Sequence, residues 1–125
     1  MHNRVLWILQ WLFGLYFIAL GMMHFVVPEG LPAQLGWMYD LSDSLHIAAG
    51  IAEILGGIGL ILPSVTRIQP WLTPLAALGL IAVMVGAIVW HLGRDEFVNL
   101  GINVINIVAL AYIAYGRLRL PIAPR

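Results

Sequence analysis

Four long apolar segments, separated by short polar connections, make up most of the chain. They cover residues 5–27, 45–62, 71–92 and 98–116. Each is close to the roughly 20 residues that a helix needs to cross a hydrocarbon core of about 30 Å. Backbone groups within lipid must be hydrogen bonded internally, so such segments are expected to be helices. The pattern predicts an all-α fold, a four-helix transmembrane bundle that forms a single integral membrane domain over residues 1–125.

Prolines and segment lengths predict where these helices begin and end. The first segment is longer than the roughly 7–15 apolar residues of a signal peptide, and no small-residue cleavage site follows it. We therefore expect it to be retained as a helix that closes before Pro28. Pro63 is predicted to end the second helix, and Pro70 lies just before the third, where a fixed φ is tolerated.

The positions of the arginines predict the orientation of the bundle. Five of the six arginines lie at one end: Arg4, Arg67, Arg117, Arg119 and Arg125. Only Arg94 lies at the other end, beside Asp95 and Glu96. Cytoplasmic loops carry an excess of basic residues. This predicts a multi-pass protein of the prokaryotic inner membrane with both termini cytoplasmic. Residues 28–44 would then lie outside as a short interfacial segment, either a tether between helices or a lid.

The composition limits the classes of partner. The chain is 62% hydrophobic and 10% charged, whereas soluble domains contain about 25% charged residues. It has no cysteine, which excludes disulfides and thiolate metal sites. Its net charge of zero argues against nucleic acid, whose phosphates require a basic surface. The partner expected from composition is the lipid bilayer.

The second segment carries a single acid, Glu53, near its middle. A charged carboxylate at the bilayer centre costs between about 2.5 and well over 10 kcal/mol, so Glu53 is expected to be neutral, paired or directed into a polar interior. On a helical wheel it shares a face with His46, Gly50 and Gly57. A neighbouring face carries a ladder of small residues, which predicts close helix packing. The ladder consists of Ala48, Ala52, Gly56 and Gly59.

Polar residues from all four helices are predicted to converge at one end. Alternating helix directions bring His24, His46 and His91 to the same depth, with Glu53 about 10 Å deeper at 1.5 Å per residue. Asn99, Asn103 and Asn106 form a stripe on the fourth helix that enters from the same end. This pattern predicts a cavity or a hydrogen-bond network. The predicted ligand-binding or proton-carrying residues are Glu53, His24, His46, His91, Asn99 and Asn103.

Metal and haem sites are less favoured interpretations of the histidines. Three imidazoles at one depth could hold Zn²⁺, and two could hold haem. However, His24, His46 and His91 lack the i,i+3 or i,i+4 spacing of ligand pairs, and haem needs more space than a small bundle is expected to offer. No metal site is therefore predicted. If a metal did bind, these three histidines would be the candidate ligands. The tryptophans and Tyr39, near the helix ends, are typical of an aromatic belt.

One stretch of the chain resembles a known family. The segment GIAEILGGIGLILP (residues 50–63) is followed by a basic loop and by a third helix that ends with Ala87 to His91. Together with Gly21, which precedes a polar residue, these features are similar to the DoxX-like family of small four-helix membrane proteins. Glu53 and His91 match most closely. The family resembles, and partly includes, the small membrane subunit of a thiosulfate:quinone oxidoreductase, so the resemblance implies a link to quinone redox chemistry.

The preferred functional interpretation is a DoxX-like membrane component of a redox system. It would bind a quinone-like or other small apolar ligand in the outer half of the bundle, with Phe17 and Met84 among the apolar lining. No motif for a redox cofactor is recognisable, so an enzyme acting alone is not expected, and a redox partner or a homo-oligomer is. The alternative is a structural or assembly subunit without ligand chemistry; a small proton-linked transporter is a third, less favoured interpretation.

Overall fold

The computed structural model describes residues 2–125, and over this range its regular structure is entirely helical. The four α-helices are α1 (Asn3–Phe25), α2 (Asp43–Thr66), α3 (Leu72–Leu92) and α4 (Phe97–Arg119). A 3₁₀ helix, Ala33–Tyr39, lies between α1 and α2. All four α-helices are long and apolar enough to cross a membrane. The predicted all-α fold with four membrane-length helices is confirmed.

Two helix ends near prolines differ from the prediction, and α4 ends at Arg119, three residues beyond its predicted end. α2 continues through Pro63 to Thr66, so the prediction that Pro63 ends it was wrong. A proline inside a membrane helix is tolerated because neighbouring helices and local adjustments of the backbone can satisfy the carbonyl group that it frees. α1 ends at Phe25, two residues before the predicted end, because Val27 precedes Pro28 and is sterically driven out of the helical region.

The bundle has two ends that differ in chemistry. The histidine end comprises the α1–α2 and α3–α4 connections, and the arginine end comprises the start of α1, the α2–α3 connection and the chain after α4. Between them lies an apolar core that includes Phe17, Leu60, Leu80, Leu110 and Ile113, each at most 1% exposed. The two ends therefore form separate polar regions.

α1 and α2 make their closest contact through two pairs of glycines. A Cβ added at Gly21 would lie 2.9 Å from the carbonyl oxygen of Gly50, and one added at Gly57 would lie 2.6 Å from that of Gly14. Such contacts let two backbones approach and gain van der Waals energy, which drives helix association in lipid. Gly50 and Gly57 share the Glu53 face that the sequence marked as polar, so this face also carries the tightest packing.

The small-residue ladder of α2 faces α3. A Cβ at Gly56 would lie 2.5 Å from Leu80, and one at Gly59 would lie 2.6 Å from the Cβ of Ala76. These two glycines therefore bring α2 and α3 together at the level of the apolar core. The other two members of the ladder line a cavity nearer the histidine end: Ala48 and Ala52.

We expect Gly57→Ala to destabilise the bundle by about 1–3 kcal/mol, the usual cost of overpacking. The added methyl group would meet the Gly14 carbonyl oxygen, which belongs to helix backbone and cannot move aside. Gly101→Ala is the matched control, because a Cβ there has no neighbour within 4 Å. Unfolding in detergent should show a lower midpoint for Gly57→Ala only. Equal midpoints for the two variants would show that the glycine pairs do not limit packing.

Candidate functional site

Three buried side chains at the histidine end contact one another in series. His24 of α1 and His46 of α2 approach through their Nδ1 atoms at 2.9 Å. His46 Nε2 lies 2.8 Å from the carbonyl oxygen of Met38 in the 3₁₀ helix. On the other side, His24 Nε2 lies 3.2 Å from Oε2 of Glu53. The two predicted histidines and the predicted acid therefore lie together, and they connect the interior of α2 to the α1–α2 connection.

The proton positions in this series of contacts follow from its last acceptor, the carbonyl oxygen of Met38. A carbonyl oxygen only accepts, so His46 donates from Nε2 to Met38. A neutral His46 then accepts at Nδ1, and His24 donates to it from its own Nδ1. His24 Nε2 faces Glu53 either as acceptor of a carboxylic acid proton or as donor to a carboxylate.

The contact between Glu53 and His24 leaves hydrogen-bonding capacity unused. Although 3.2 Å apart, Oε2 of Glu53 and Nε2 of His24 are not aligned as a hydrogen bond, and neither has another partner within residues 2–125. Both side chains are at most 5% exposed. A buried polar atom without a partner costs about 1–3 kcal/mol. These two atoms therefore face each other with part of their hydrogen-bonding capacity unused.

A cavity of about 440 Å³ lies beside the pair. Its polar lining comes from the 3₁₀ helix and all four α-helices: His24, Trp37, Glu53, His91 and Asn103. The rest of its wall is mainly apolar, from residues such as Leu20, Leu45, Val83, Met84 and Ala87. Met84 lines the cavity as expected from the sequence, whereas Phe17 is fully buried in the core below, so its assignment to the lining was wrong.

Trp37 of the 3₁₀ helix forms part of the cavity wall. Its ring packs against His24, His91 and Trp90, with ring centroids 5.9, 5.2 and 6.1 Å away respectively. Its indole nitrogen has no hydrogen-bond partner within residues 2–125, although indole N–H groups usually find one when buried. The sequence assigned Trp37 to an interfacial aromatic belt and therefore missed its place beside the predicted site.

An ionic cluster at the surface fastens the 3₁₀ helix to the α3–α4 connection. Arg94 donates from Nη2 to Asp40 at 2.6 Å and from Nε to Glu96 at 2.7 Å, and His91 Nδ1 lies 3.1 Å from the same Glu96 oxygen. We call Arg94, Asp40 and Glu96 the Arg94 latch. Hydrogen bonds to Glu96 and Asp40 raise the pKa of Arg94. Burial opposes ionisation of Glu96, but the bonds from Arg94 and His91 hold its pKa below the ordinary value.

We expect the Arg94 latch to weaken in acid. Because the folded state lowers the pKa of Glu96 from 4.5, its stabilisation is complete above that pH and is lost as the pH falls through the folded pKa. The melting temperature of wild type should exceed that of Glu96→Gln near neutral pH, and the difference should shrink below about pH 4.5. A difference that does not change with pH would show that Glu96 acts without its charge.

The three asparagines of α4 have different surroundings. Asn103 lines the cavity, and its Nδ2 is unpaired within residues 2–125. Asn99 is buried but does not line the cavity. Asn106 donates to Tyr16 at 3.4 Å and contacts the sulfur of Met84 at 3.7 Å. The stripe predicted from spacing is therefore buried throughout, and one of its members reaches the cavity.

The histidines do not form a metal-binding group. Within residues 2–125, no three His, Asp or Glu side chains are placed to hold a metal ion. The facing Nδ1 atoms of His24 and His46 are engaged with each other, and His91 is engaged with Glu96.

A second polar network, at the arginine end, joins all four helices. It comprises Asn3 and Gln10 of α1, Ser64 of α2, Thr73 of α3 and Arg117 of α4. Gln10 accepts from Arg117 Nε at 2.5 Å and donates to the Leu60 carbonyl at 2.7 Å and to Ser64 at 3.0 Å. Gln10, Ser64 and Thr73 are at most 2% exposed. The network fixes the bundle at the end opposite the cavity.

Sequence reasoning missed this network. Arg117 was considered only as a charge that orients the protein. The available signal was position: Gln10 and Thr73 are polar residues inside apolar segments, and Ser64 lies two residues after one, all near the arginine end. Polar side chains on different membrane helices at one depth are expected to bond to one another.

Comparison with known proteins identifies the family. The model of the DoxX-like family matches residues 8–114, a range that includes most of the chain, Glu53 and His91. No curated protein and no solved structure matches the chain. The family match confirms the resemblance seen in the sequence. With four membrane-length helices and a family match over most of its length, the chain belongs to the DoxX-like family.

Proposed function

We propose that this protein binds a quinone-like or similar small, largely apolar ligand in the cavity at the histidine end, as the membrane component of a redox system. The observation that carries the proposal is the unsatisfied Glu53–His24 pair in the wall of a mainly apolar cavity of about 440 Å³. Ligand sites are typically apolar clefts of about 300–1,000 Å³ with a few convergent polar groups. The cavity has this size and composition.

A quinone matches these polar groups in kind. Its carbonyl oxygens accept hydrogen bonds, and its reduction to a quinol takes up two electrons and two protons. Glu53 and His24 are groups able to exchange protons, and Asn103 Nδ2 and Trp37 Nε1 are unpaired donors within residues 2–125. The two protons of the quinol would reach the ligand through such groups from water. The protein would supply orientation and proton exchange, while a membrane redox partner supplies or accepts the electrons.

The alternative, a structural subunit whose polar core only specifies packing, is less well supported. Such a core should satisfy its own polar groups, because half-satisfied networks are costly. The arginine-end network, in which Gln10 makes three bonds to α2 and α4, largely meets this expectation. Around the cavity, four buried atoms lack partners within residues 2–125: His24 Nε2, Trp37 Nε1, Glu53 Oε2 and Asn103 Nδ2. A ligand that accepts and donates would satisfy them.

Tryptophan fluorescence can test the site. Trp37 and Trp90 line the cavity, whereas Trp11 and Trp71 lie towards the arginine end. A short-chain quinone should quench wild-type fluorescence saturably. The saturable component should disappear in a Trp37→Phe/Trp90→Phe double variant and persist in a Trp11→Phe/Trp71→Phe control. Quenching that rises linearly with quinone, or that is lost equally in both variants, would argue against binding in this cavity.

We further propose that both termini are cytoplasmic in a prokaryotic inner membrane, which places the cavity in the outer half of the bundle. The support is the excess of arginines at the end that carries both termini. A fusion after Arg125 should therefore be active with a reporter that works in the cytoplasm and inactive with one that works only in the periplasm. The opposite pattern would reverse the orientation.

A further inference from the structure

We propose that a groove at the arginine end binds the phosphate of an anionic phospholipid. The groove has a volume of about 470 Å³ and lies between the α2–α3 connection and the chain that follows α4. Three arginines contribute to it: Arg67, Arg117 and Arg125. Arginine is well suited to phosphate because its planar guanidinium presents several donors at once. Basic pockets between membrane helices are known to recognise anionic lipid headgroups.

The charge at this end is not neutralised by the protein. Five acids lie in the connections at the histidine end or at the first residue of α2, and the sixth, Glu53, lies within the membrane-spanning part of α2. Within residues 2–125, none of Arg67, Arg117 and Arg125 forms an ion pair. An anion from outside the chain is therefore the natural counterion for this end of the bundle.

Arg117 provides a buried positive charge in the wall of the groove. Its side chain is only 3% exposed, and all its assigned acceptors are neutral: Gln10, Asn3 and the Leu120 carbonyl. Its Nη2 has no partner within residues 2–125. A buried charge without an opposite charge is unfavourable. A phosphate in the groove would reduce this cost.

Arg67 and the last residues of the chain shape the rim of the groove. The Arg67 side chain donates to the Ala123 carbonyl at 2.8 Å, and its own carbonyl accepts from the Arg125 N–H at 3.1 Å. These bonds hold the C-terminal segment across the α2–α3 connection. They place the exposed arginines of both segments at one rim.

The apolar part of the groove favours a lipid over free phosphate. Ile68, Trp71 and Leu118 belong to its lining, and each is more than half exposed. An acyl chain attached to the phosphate could cover these side chains, whereas inorganic phosphate would leave them uncovered. The expected ligand therefore combines a negatively charged phosphodiester with hydrocarbon.

The test measures the melting temperature of the full-length protein in detergent with added lipid. Phosphatidylglycerol, phosphatidylcholine with the same acyl chains, and inorganic phosphate are titrated separately. Phosphatidylglycerol should stabilise the protein saturably, and the other two should not. Arg67→Gln and Arg125→Gln should each weaken phosphatidylglycerol binding about fivefold. Arg119→Gln, an exposed arginine on the same end that does not line the groove, should leave binding nearly unchanged.

Three results would overturn the proposal. Equal stabilisation by phosphatidylcholine would remove the role of charge, and equal stabilisation by inorganic phosphate would remove the role of the acyl chain. A loss in Arg119→Gln as large as in Arg67→Gln would indicate general surface attraction. Since Arg67→Gln also removes the bond to Ala123, Arg125→Gln decides the matter if the first variant misfolds. None of these results bears on the cavity at the opposite end.

Discussion

Glu53→Gln should weaken binding of a quinone-like ligand about tenfold to a hundredfold while leaving the bundle folded. Glutamine keeps the shape, and its amide can donate to Nε2 of His24, which lies 3.2 Å from the Glu53 carboxylate. It cannot take up and release a proton as the Glu53 carboxyl group can. A hydrogen bond that involves a charged group is worth about 1.5–3 kcal/mol, which corresponds to this loss of affinity.

Glu29→Gln is the control for this variant, because Glu29 is exposed and does not line the cavity. Affinity and melting temperature are measured on each purified variant. Unchanged affinity in Glu53→Gln would leave Glu53 without a role in binding. A collapse of the melting temperature would instead identify Glu53 as half of an ion pair needed for folding.

Gln10→Ala should lower the free energy of unfolding by about 2–3 kcal/mol, the largest stability effect that we expect for a single residue. Gln10 makes bonds to Arg117, Ser64 and the Leu60 carbonyl, which lie on α4 and α2. Hydrogen bonds between membrane helices average about 0.6 kcal/mol and reach about 1.7. The variant also removes one hydrogen-bond acceptor of Arg117. The acceptors that remain are fewer than the N–H donors of its guanidinium group.

Gln34→Ala controls for the loss of an amide, because Gln34 is exposed in the 3₁₀ helix. Its midpoint in a denaturation experiment should match wild type, and that of Gln10→Ala should fall. If both variants unfold at the wild-type midpoint, Gln10 does not tie the helices together. Retention of the fold in Gln10→Ala would also allow ligand binding at the other end to be measured separately.

The helices and their approximate positions followed from the sequence because the bilayer imposes one length and one backbone state. The same reasoning placed His24 and His46 at one depth, since antiparallel helices of equal length bring defined positions to one depth. It placed Glu53 about 10 Å deeper, whereas in the structure Glu53 contacts His24. The distances of 2.9 and 3.2 Å between them required the structure. A helical wheel gives the face on which a residue lies, and its position along the helix gives its depth. Neither shows which neighbouring helix that face contacts.

Other features could not be predicted because they depend on that choice of neighbour. Gly50 and Gly57 were assigned to a polar face, yet they contact Gly21 and Gly14 on α1. Glycine has no side chain to mark a face as polar or packing, so its role appears only once the partner helix is known. Trp37 was equally ambiguous, because an indole near a helix end suits both a headgroup region and a cavity wall.

The most direct measurement is the content of the cavity in protein purified gently from its membrane. Mass spectrometry of an organic extract compares wild type with Ala49→Leu, which adds a larger side chain to the cavity wall. Because the cavity of about 440 Å³ can hold the added atoms, the melting temperature of the variant should match that of wild type. We expect quinone-class molecules in wild type at about one per chain, and strongly reduced amounts in Ala49→Leu. No such molecule in wild type, or equal amounts in both, would contradict ligand binding in this cavity.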